Sequence, residues 1–363
     1  MSSQKPHRKF ARGRQTYVLC PVFCVLFLFF VTTPSLSASA GWAATYGGVD
    51  SDWAYSVHET NDGGYIMAGA TRSFGAGEND IWVLKLRPDG TVEWQKAYGG
   101  IENDWAYSIQ QTLDGGYIVA GKTWSFGDGA SDIWILKLRV DGTVEWQKTY
   151  GGVSSDEASS VQQTSDGGYI VAGGKGSLDV RKKDLPDILV LKLGPDGAVE
   201  WQKTLGKSGW DEASCIQQTV DGGYIVGGWA GEPVWTETTK GLITDAWVSK
   251  LRPDGTMEWQ KSYWGVSAEY ACSIIQTTDG GYVAAGWTCS FGAGRNDVWV
   301  LKLNADGSIN PSCDLTCNRS LSRKDNSITV KTTTVSPVDS HANLQDSSAT
   351  IQTTNTSVDL MCH

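Results

Sequence analysis

The chain has 363 residues, of which 40% are hydrophobic and 19% charged, with 43 glycines and 17 tryptophans. That composition excludes a collagen-like fibre, a disordered chain and a helical membrane bundle. Thirty Lys and Arg against 40 Asp and Glu give a net charge of −10, which argues against a nucleic-acid partner, and four His exclude His-rich metal sites.

The first 40 residues carry Lys5, Arg8, Lys9, Arg12 and Arg14 and no acid, followed by an apolar run from Val18 to Val31, then Thr32-Thr33-Pro34 and the small-residue site Ala38-Ser39-Ala40. This is the three-part layout of a secretory signal peptide. It predicts an exported protein, secreted, extracellular or periplasmic, with no membrane association after cleavage. The alternative is an uncleaved anchor, for which the run is short against ~30 Å of hydrocarbon. Cleavage removes Cys20 and Cys24 and leaves six cysteines: Cys215, Cys272, Cys289, Cys313, Cys317 and Cys362. An even number in an oxidising compartment predicts disulfides, at least one of them in the tail, which holds the last three.

From residue 41 a repeat organises the chain. Asp-Gly-Gly-Tyr begins at Asp62, Asp114, Asp166, Asp221 and Asp279, at spacings of 52, 52, 55 and 58. Periods of this size mean a solenoid, propeller or array. In the second copy, Ser108 to Thr112, Tyr117 to Thr123, Ile133 to Leu138 and Val144 to Tyr150 are rich in β-branched and aromatic residues, punctuated by Asp114-Gly115 and Asp141-Gly142. Each copy therefore reads as four short strands with Asp-Gly hairpins. Four-stranded antiparallel units repeated five times predict an all-β, five-bladed β-propeller over residues 41–311, because closing into a ring protects the sheet edges.

Trp-containing fourth strands start at Trp42, Trp94, Trp146, Trp201 and Trp259, whereas the last copy ends in Ser308-Ile309-Asn310-Pro311 without Trp-Gln-Lys. The N-terminal strand Trp42 to Tyr46 is therefore expected to supply the fourth strand of the last blade and close the ring. The alternative is an open array that needs a partner.

Gly115-Gly116-Tyr117-Ile118-Val119-Ala120-Gly121, Tyr98-Gly99-Gly100 and Asp141-Gly142-Thr143-Val144-Glu145-Trp146-Gln147-Lys148 together resemble secreted bacterial and archaeal proteins built from DGGYIVAG-type repeats. The resemblance covers roughly residues 42 to 310. It implies a propeller and export, and no particular ligand. The Gly-x-x-x-Trp element also resembles quinone-cofactor propellers and bulb-type lectins, without a complete motif of either.

Four acids recur in every copy. Asp52, Asp104, Asp156, Asp211 and Glu269 precede the first strand, and the others stand in the two hairpins and before the third strand. Turn chemistry accounts for these sets, since Asp bonds to nearby backbone amides. A second reading applies to the first set, whose five carboxylates would ring one mouth of a central tunnel and hold Ca²⁺. Near five-fold equivalence is the wrong setting for the two unlike carboxylates of a polysaccharide hydrolase, and a Ser/His/Asp constellation is not evident, so the expectation is a non-enzyme. A quinone-dependent oxidoreductase is the other enzymatic alternative.

Departures from the repeat carry more information. From Asp-Gly-Gly-Tyr to the third-strand Leu-Lys-Leu (Ser-Lys-Leu in copy four) the lengths are 22, 22, 25, 28 and 22, while the distance onward to the next repeat is always 30. All insertions thus enter the loop between the second and third strands, and insertions confined to one face mark a binding face. Six tryptophans lie outside the repeat, and five of them, Trp210, Trp229, Trp235, Trp264 and Trp287, belong to copies four and five. Aromatic planes suit sugar faces and partner hot spots; the competing reading is local packing under the loop Ala230 to Thr244. The tail, 312–363, has 18 Ser and Thr among 52 residues and reads as a disordered stalk or a small β appendage. The combined expectation is an exported binding module for glycan or protein through the loop face of copies four and five, with a structural envelope component as the alternative.

Overall fold

A computed structural model describes residues 41–176, 187–206, 210–235, 240–265, 267–291, 295–309, 322–324 and 338–339. The export segment 1–40, the cysteines Cys313, Cys317 and Cys362, and nearly all of the tail lie outside these residues.

The described residues are all β, with no helix among them. Copy one contributes β1 (Asp52–Glu59), β2 (Tyr65–Thr71), β3 (Asp80–Leu86) and β4 (Val92–Tyr98); copy two, β5 (Asp104–Gln111), β6 (Tyr117–Thr123), β7 (Asp132–Leu138) and β8 (Val144–Tyr150). Copy three contributes β9 (Asp156–Gln163), β10 (Tyr169–Lys175), β11 (Asp187–Leu193) and β12 (Val199–Leu205), and copy four β13 (Trp210–Gln218), β14 (Tyr224–Trp235), β15 (Lys240–Leu251) and β16 (Met257–Trp264). Copy five adds β17 (Glu269–Gln276), β18 (Tyr282–Thr288) and β19 (Asp297–Leu303), and two short tail strands follow, β20 (Ser322–Lys324) and β21 (Val338–Asp339). Each copy forms one antiparallel sheet in sequence order; β20 adds to the edge of β16 and β21 to the edge of β8.

Local chemistry explains the strands. In copy two, Asp114 Oδ1 accepts from the Thr112 hydroxyl at 2.5 Å and from Gly116 N at 3.0 Å, and Gly115 takes a φ of +83°, which favours glycine. Lys137 of β7 is 4% exposed and donates to Asp114 Oδ2 at 2.8 Å and to the Leu138 carbonyl at 3.2 Å, tying the third strand to the first hairpin. The ion pair holds Asp114 down at about 2, against a burial effect that opposes it. Lys85, Lys192 and Lys250 repeat this tie to Asp62, Asp166 and Asp221.

The Trp-Gln-Lys strand locks each copy onto the next. Trp146 Nε1 donates to Pro195 O at 3.1 Å and the Tyr150 hydroxyl to Gly197 O at 2.7 Å; Trp259 and Tyr263 bond Ala305 and Gly307 in the same way. Between copies, alternate side chains interleave, as where Ile66, Ala68, Ile81 and Val83 pack against Ile109, Val119, Trp134 and Leu136. First strands of consecutive copies, from β1 to β17, touch one another, so they form the inner edge of the array.

Ring closure is not seen. The last sheet has three strands, and Trp42 to Tyr46 is neither a strand nor a partner of β19. The segment instead takes the fourth-strand place beside copy one, where Trp42 Nε1 donates to Pro88 O at 3.0 Å and the Tyr46 hydroxyl to Gly90 O at 2.6 Å. The hairpin half of the expected clasp is formed and the ladder half is not. The two ends of the array are accordingly bare: Val57 is 59% exposed where Ile109 is 0%, and Val298 and Val300 are 85% and 57% exposed where Ala246 and Val248 are 0%. A pocket of about 100 Å³ opens on the bare face of copy one, lined by Tyr46, Trp53, Met67, Trp82 and Leu84.

Candidate functional site

The recurrent acid at the head of each inner strand is a loop anchor. Asp104, fully buried, accepts from Gly100 N at 2.8 Å and Ser125 Oγ at 2.7 Å. Asp52 accepts from Gly48 N and from the hydroxyls of Thr71 and Ser73, Asp156 from Gly152 N and Gly176 N, and Glu269 from Gly265 N and the Thr288 hydroxyl. Asp211 is equally buried. Each carboxylate turns sideways into its own junction, and among the described residues no three His, Cys, Asp or Glu side chains converge as a metal would require. Two acids do meet at a junction: a Cβ on Gly99 would stand 1.8 Å from Asp80 Oδ1 and 2.8 Å from Asp104 Oδ2. Burial, with the Asp104 charge adding to it, pushes Asp80 up to about 6, and burial does the same to Asp156, beside Asp132.

The expected tryptophan patch is brought together in part. Trp229 of β14 and Trp287 of β18 flank Tyr270 of β17, with ring centroids 5.3 and 4.0 Å apart and the second pair stacked at 17°. Trp210 heads β13 and is 43% exposed. Trp264 ends β16 half-buried, its Nε1 without a partner among the described residues. No ring contact joins either of them to the stack among the described residues. Trp235 lies in β14, and its side chain is outside the description.

Register shows what the stack belongs to. The residue after each recurrent acid pairs across to the second strand: Trp53 with Ala70, Trp105 with Lys122, Glu157 with Gly174, Glu212 with Trp229 and Tyr270 with Trp287. Directly opposed residues place their side chains on the same sheet face, and this is the end of the inner strands that meets the variable loops. Five equivalent steps therefore carry five different chemistries, and several of them meet residues of neighbouring copies. Tyr55 stacks on Trp105 at 6.3 Å, and Trp105 meets Tyr107 and Trp124. Lys122 Nζ lies 5.5, 5.4 and 4.7 Å from the ring centroids of Trp105, Tyr107 and Trp124 and pairs with Glu157 at 2.7 Å. Glu157 in turn faces Glu212, the acid at the same step of copy four, closely enough for its charge to act on it.

Burial first, then the charge of Glu157 and their shared hydrogen bond, raise Glu212 to about 7, with Lys122 opposing. Burial alone would lower Lys122, but the charge and hydrogen bond of Glu157 hold it above its ordinary value. Below about pH 7 the group thus holds the Lys122 ammonium beside a protonated Glu212. The Trp105 Nε1 hydrogen is buried with no acceptor among the described residues, an orphan donor of the kind that costs about 1–3 kcal/mol and suits a ligand oxygen.

Of the residues gathered here, sequence reasoning singled out Trp229 and Trp287 and did not single out Trp105, Tyr107, Lys122, Glu157, Glu212 or Tyr270. The signal was the position after the repeated acid, which reads Trp, Trp, Glu, Glu, Tyr down the five copies. The disulfide expectation fails for the described cysteines: Cys215, Cys272 and Cys289 are free thiols. Cys215 takes the inner-strand place held by Ser56, Ser108 and Ser160 in other copies, its Sγ 3.6 Å from Gly227 O, and burial pushes it up to about 12. Cys289 Sγ lies 3.0 Å from Asn296 Oδ1.

Comparison with protein-family models and with curated proteins returns no match.

Proposed function

We propose that the chain is an exported, non-enzymatic binding module that takes a glycan at the loop-side heads of its inner strands. The observation that carries this reading is the contrast at one level of the repeat: the flanking acid and the following Ala recur in all five copies, whereas the residue between them changes to Trp, Trp, Glu, Glu and Tyr, with Trp105, Lys122 and Glu157 in contact across copies two and three, and Trp229, Tyr270 and Trp287 across copies four and five. Aromatic faces for sugar rings, beside charged groups and an unpaired indole N–H for hydroxyls, are the components of a saccharide site.

The working form in this reading is a closed five-bladed propeller. Support comes from the two bare ends: the exposed Val298 and Val300 are the counterparts of side chains that are buried between every other pair of copies, and the pocket beside Trp82 and Leu84 is the counterpart of the surface they would meet. Trp42 and Tyr46 already hold the hydrogen bonds that a preceding blade's fourth strand would make. A glycan array on the purified chain tests the function. Binding should be lost in Trp287→Ala and Trp229→Ala and kept in Trp210→Ala; binding that survives the first two sinks the site.

A further inference from the structure

The aromatic and acidic group repeats one motif twice, and only one of the two has its cation. In copies two and three, Lys122 Nζ lies over Trp105, Tyr107 and Trp124 while paired with Glu157. In copies four and five, Trp229, Tyr270 and Trp287 stand beside Glu212, and no described Lys or Arg forms an ion pair with Glu212. Ammonium groups bind aromatic faces strongly once desolvated, more so with a carboxylate beside them. The groups facing Glu212 are Glu157 on β9, Lys122 on β6 and Trp229 on β14, with Tyr107 of β5 behind Lys122, so the cluster carries one more acid than base. Gly174, opposite Glu157, adds no side chain at the step between them.

We propose that the glycan bound here is an amino sugar in its free-amine form, its ammonium seated between Glu157 and Glu212 and its ring on Trp229. This rests on the reading that the inner-strand heads are the binding site. Below about pH 7, where Glu212 is protonated in the empty protein, seating an ammonium there expels that proton to solvent.

The test is titration calorimetry of the full chain at pH 6 with a glucosamine tetramer and with its fully N-acetylated form, in two buffers of different ionisation heat. The free-amine tetramer should bind roughly tenfold or more tightly than the acetylated one, since a charge-assisted contact is exchanged for a neutral amide. About one proton should be released per site at pH 6, and the release should reverse to net uptake by pH 9, where the carboxyls are already ionised and the neutral amine must gain a proton to bind. Glu212→Gln should abolish both the preference and the release, while Lys122→Met, which removes the competing cation, should tighten the free-amine tetramer. Equal binding of both tetramers, or binding without proton release, overturns the ammonium proposal and leaves the glycan reading standing. Spermidine matching the free-amine tetramer overturns the saccharide part. No binding of any probe removes both.

Discussion

If the two ends of the array meet, Val300→Asp is as harmful as a substitution in the core. Val300 is 57% exposed and Val298 85%, whereas Val83, Ile135, Val190 and Val248, which occupy the place of Val300 in the other copies, are all 0%. Full burial of a valine is worth about 1.5–3 kcal/mol, so hiding what these two still expose contributes roughly 2–4 kcal/mol to closure. An aspartate at 300 forfeits part of that and places an unpaired carboxylate between apolar faces, for a combined cost of about 3–5 kcal/mol. In an open array the same change lies on the surface and costs within about 0.5 kcal/mol. Equilibrium urea unfolding of Val300→Asp beside Val248→Asp, the buried counterpart, measures the difference. Closure requires both variants to be strongly destabilised, with midpoints independent of protein concentration, because the contact is within one chain. A Val300→Asp midpoint equal to the parent's, with Val248→Asp collapsed, refutes the reasoning.

Three further outcomes follow from the junctions. Asp80 and Asp156, raised to about 6, and Glu212, raised to about 7, contribute stability that is complete below their ordinary values near 4 and lost as pH rises through 6 to 7. Asp114, Asp166 and Asp221, lowered to about 2, contribute stability that is lost as pH falls from about 4 towards 2. The urea midpoint should therefore be higher at pH 5 than at pH 8 and fall again at pH 3; a midpoint that climbs steadily to pH 8 counts against the buried carboxyl pairs. Gly121→Ala places a Cβ 1.8 Å from Trp105 O and should cost about 3 kcal/mol or more, whereas Gly152→Ala meets nothing within 4 Å and should be close to neutral by the same unfolding assay. Tyr150→Phe deletes a buried hydroxyl that donates to Gly197 O at 2.7 Å, for a loss of about 0.5–1.5 kcal/mol in thermal unfolding.

The blades were legible because their chemistry is local. Asp114-Gly115 and Asp141-Gly142 fold their hairpins through bonds that span two residues, Asp114 to Gly116 and Asp141 to Thr143, and the strand boundaries follow to within a few residues. The variable loop side was legible too, because insertions change spacing. The site was hidden for a different reason. Trp53 and Trp105 read as ordinary strand aromatics within one copy; that Trp105 meets Lys122 and that Glu157 meets Glu212 depends on which strands lie at the inner edge and at what height. Cysteine parity failed likewise for the three described thiols, since an even count says nothing about whether Cys215 and Cys289 face one another across the sheets.

The long hairpin of copy four has a consequence for how such a protein changes. Strands β14 and β15 run 12 residues each where other copies have seven, and their ladder continues without a break from Tyr224 opposite Leu251 to Trp235 opposite Lys240. The six extra residues relative to copy two thus prolong a regular ribbon instead of swelling a loop. A ribbon of this kind grows only in matched steps: one residue added to a single arm turns every side chain beyond it to the opposite face, whereas a pair added at the tip moves nothing below. Lengthening by pairs leaves the blade beneath untouched, and makes this hairpin the natural place on the molecule to graft a new sequence.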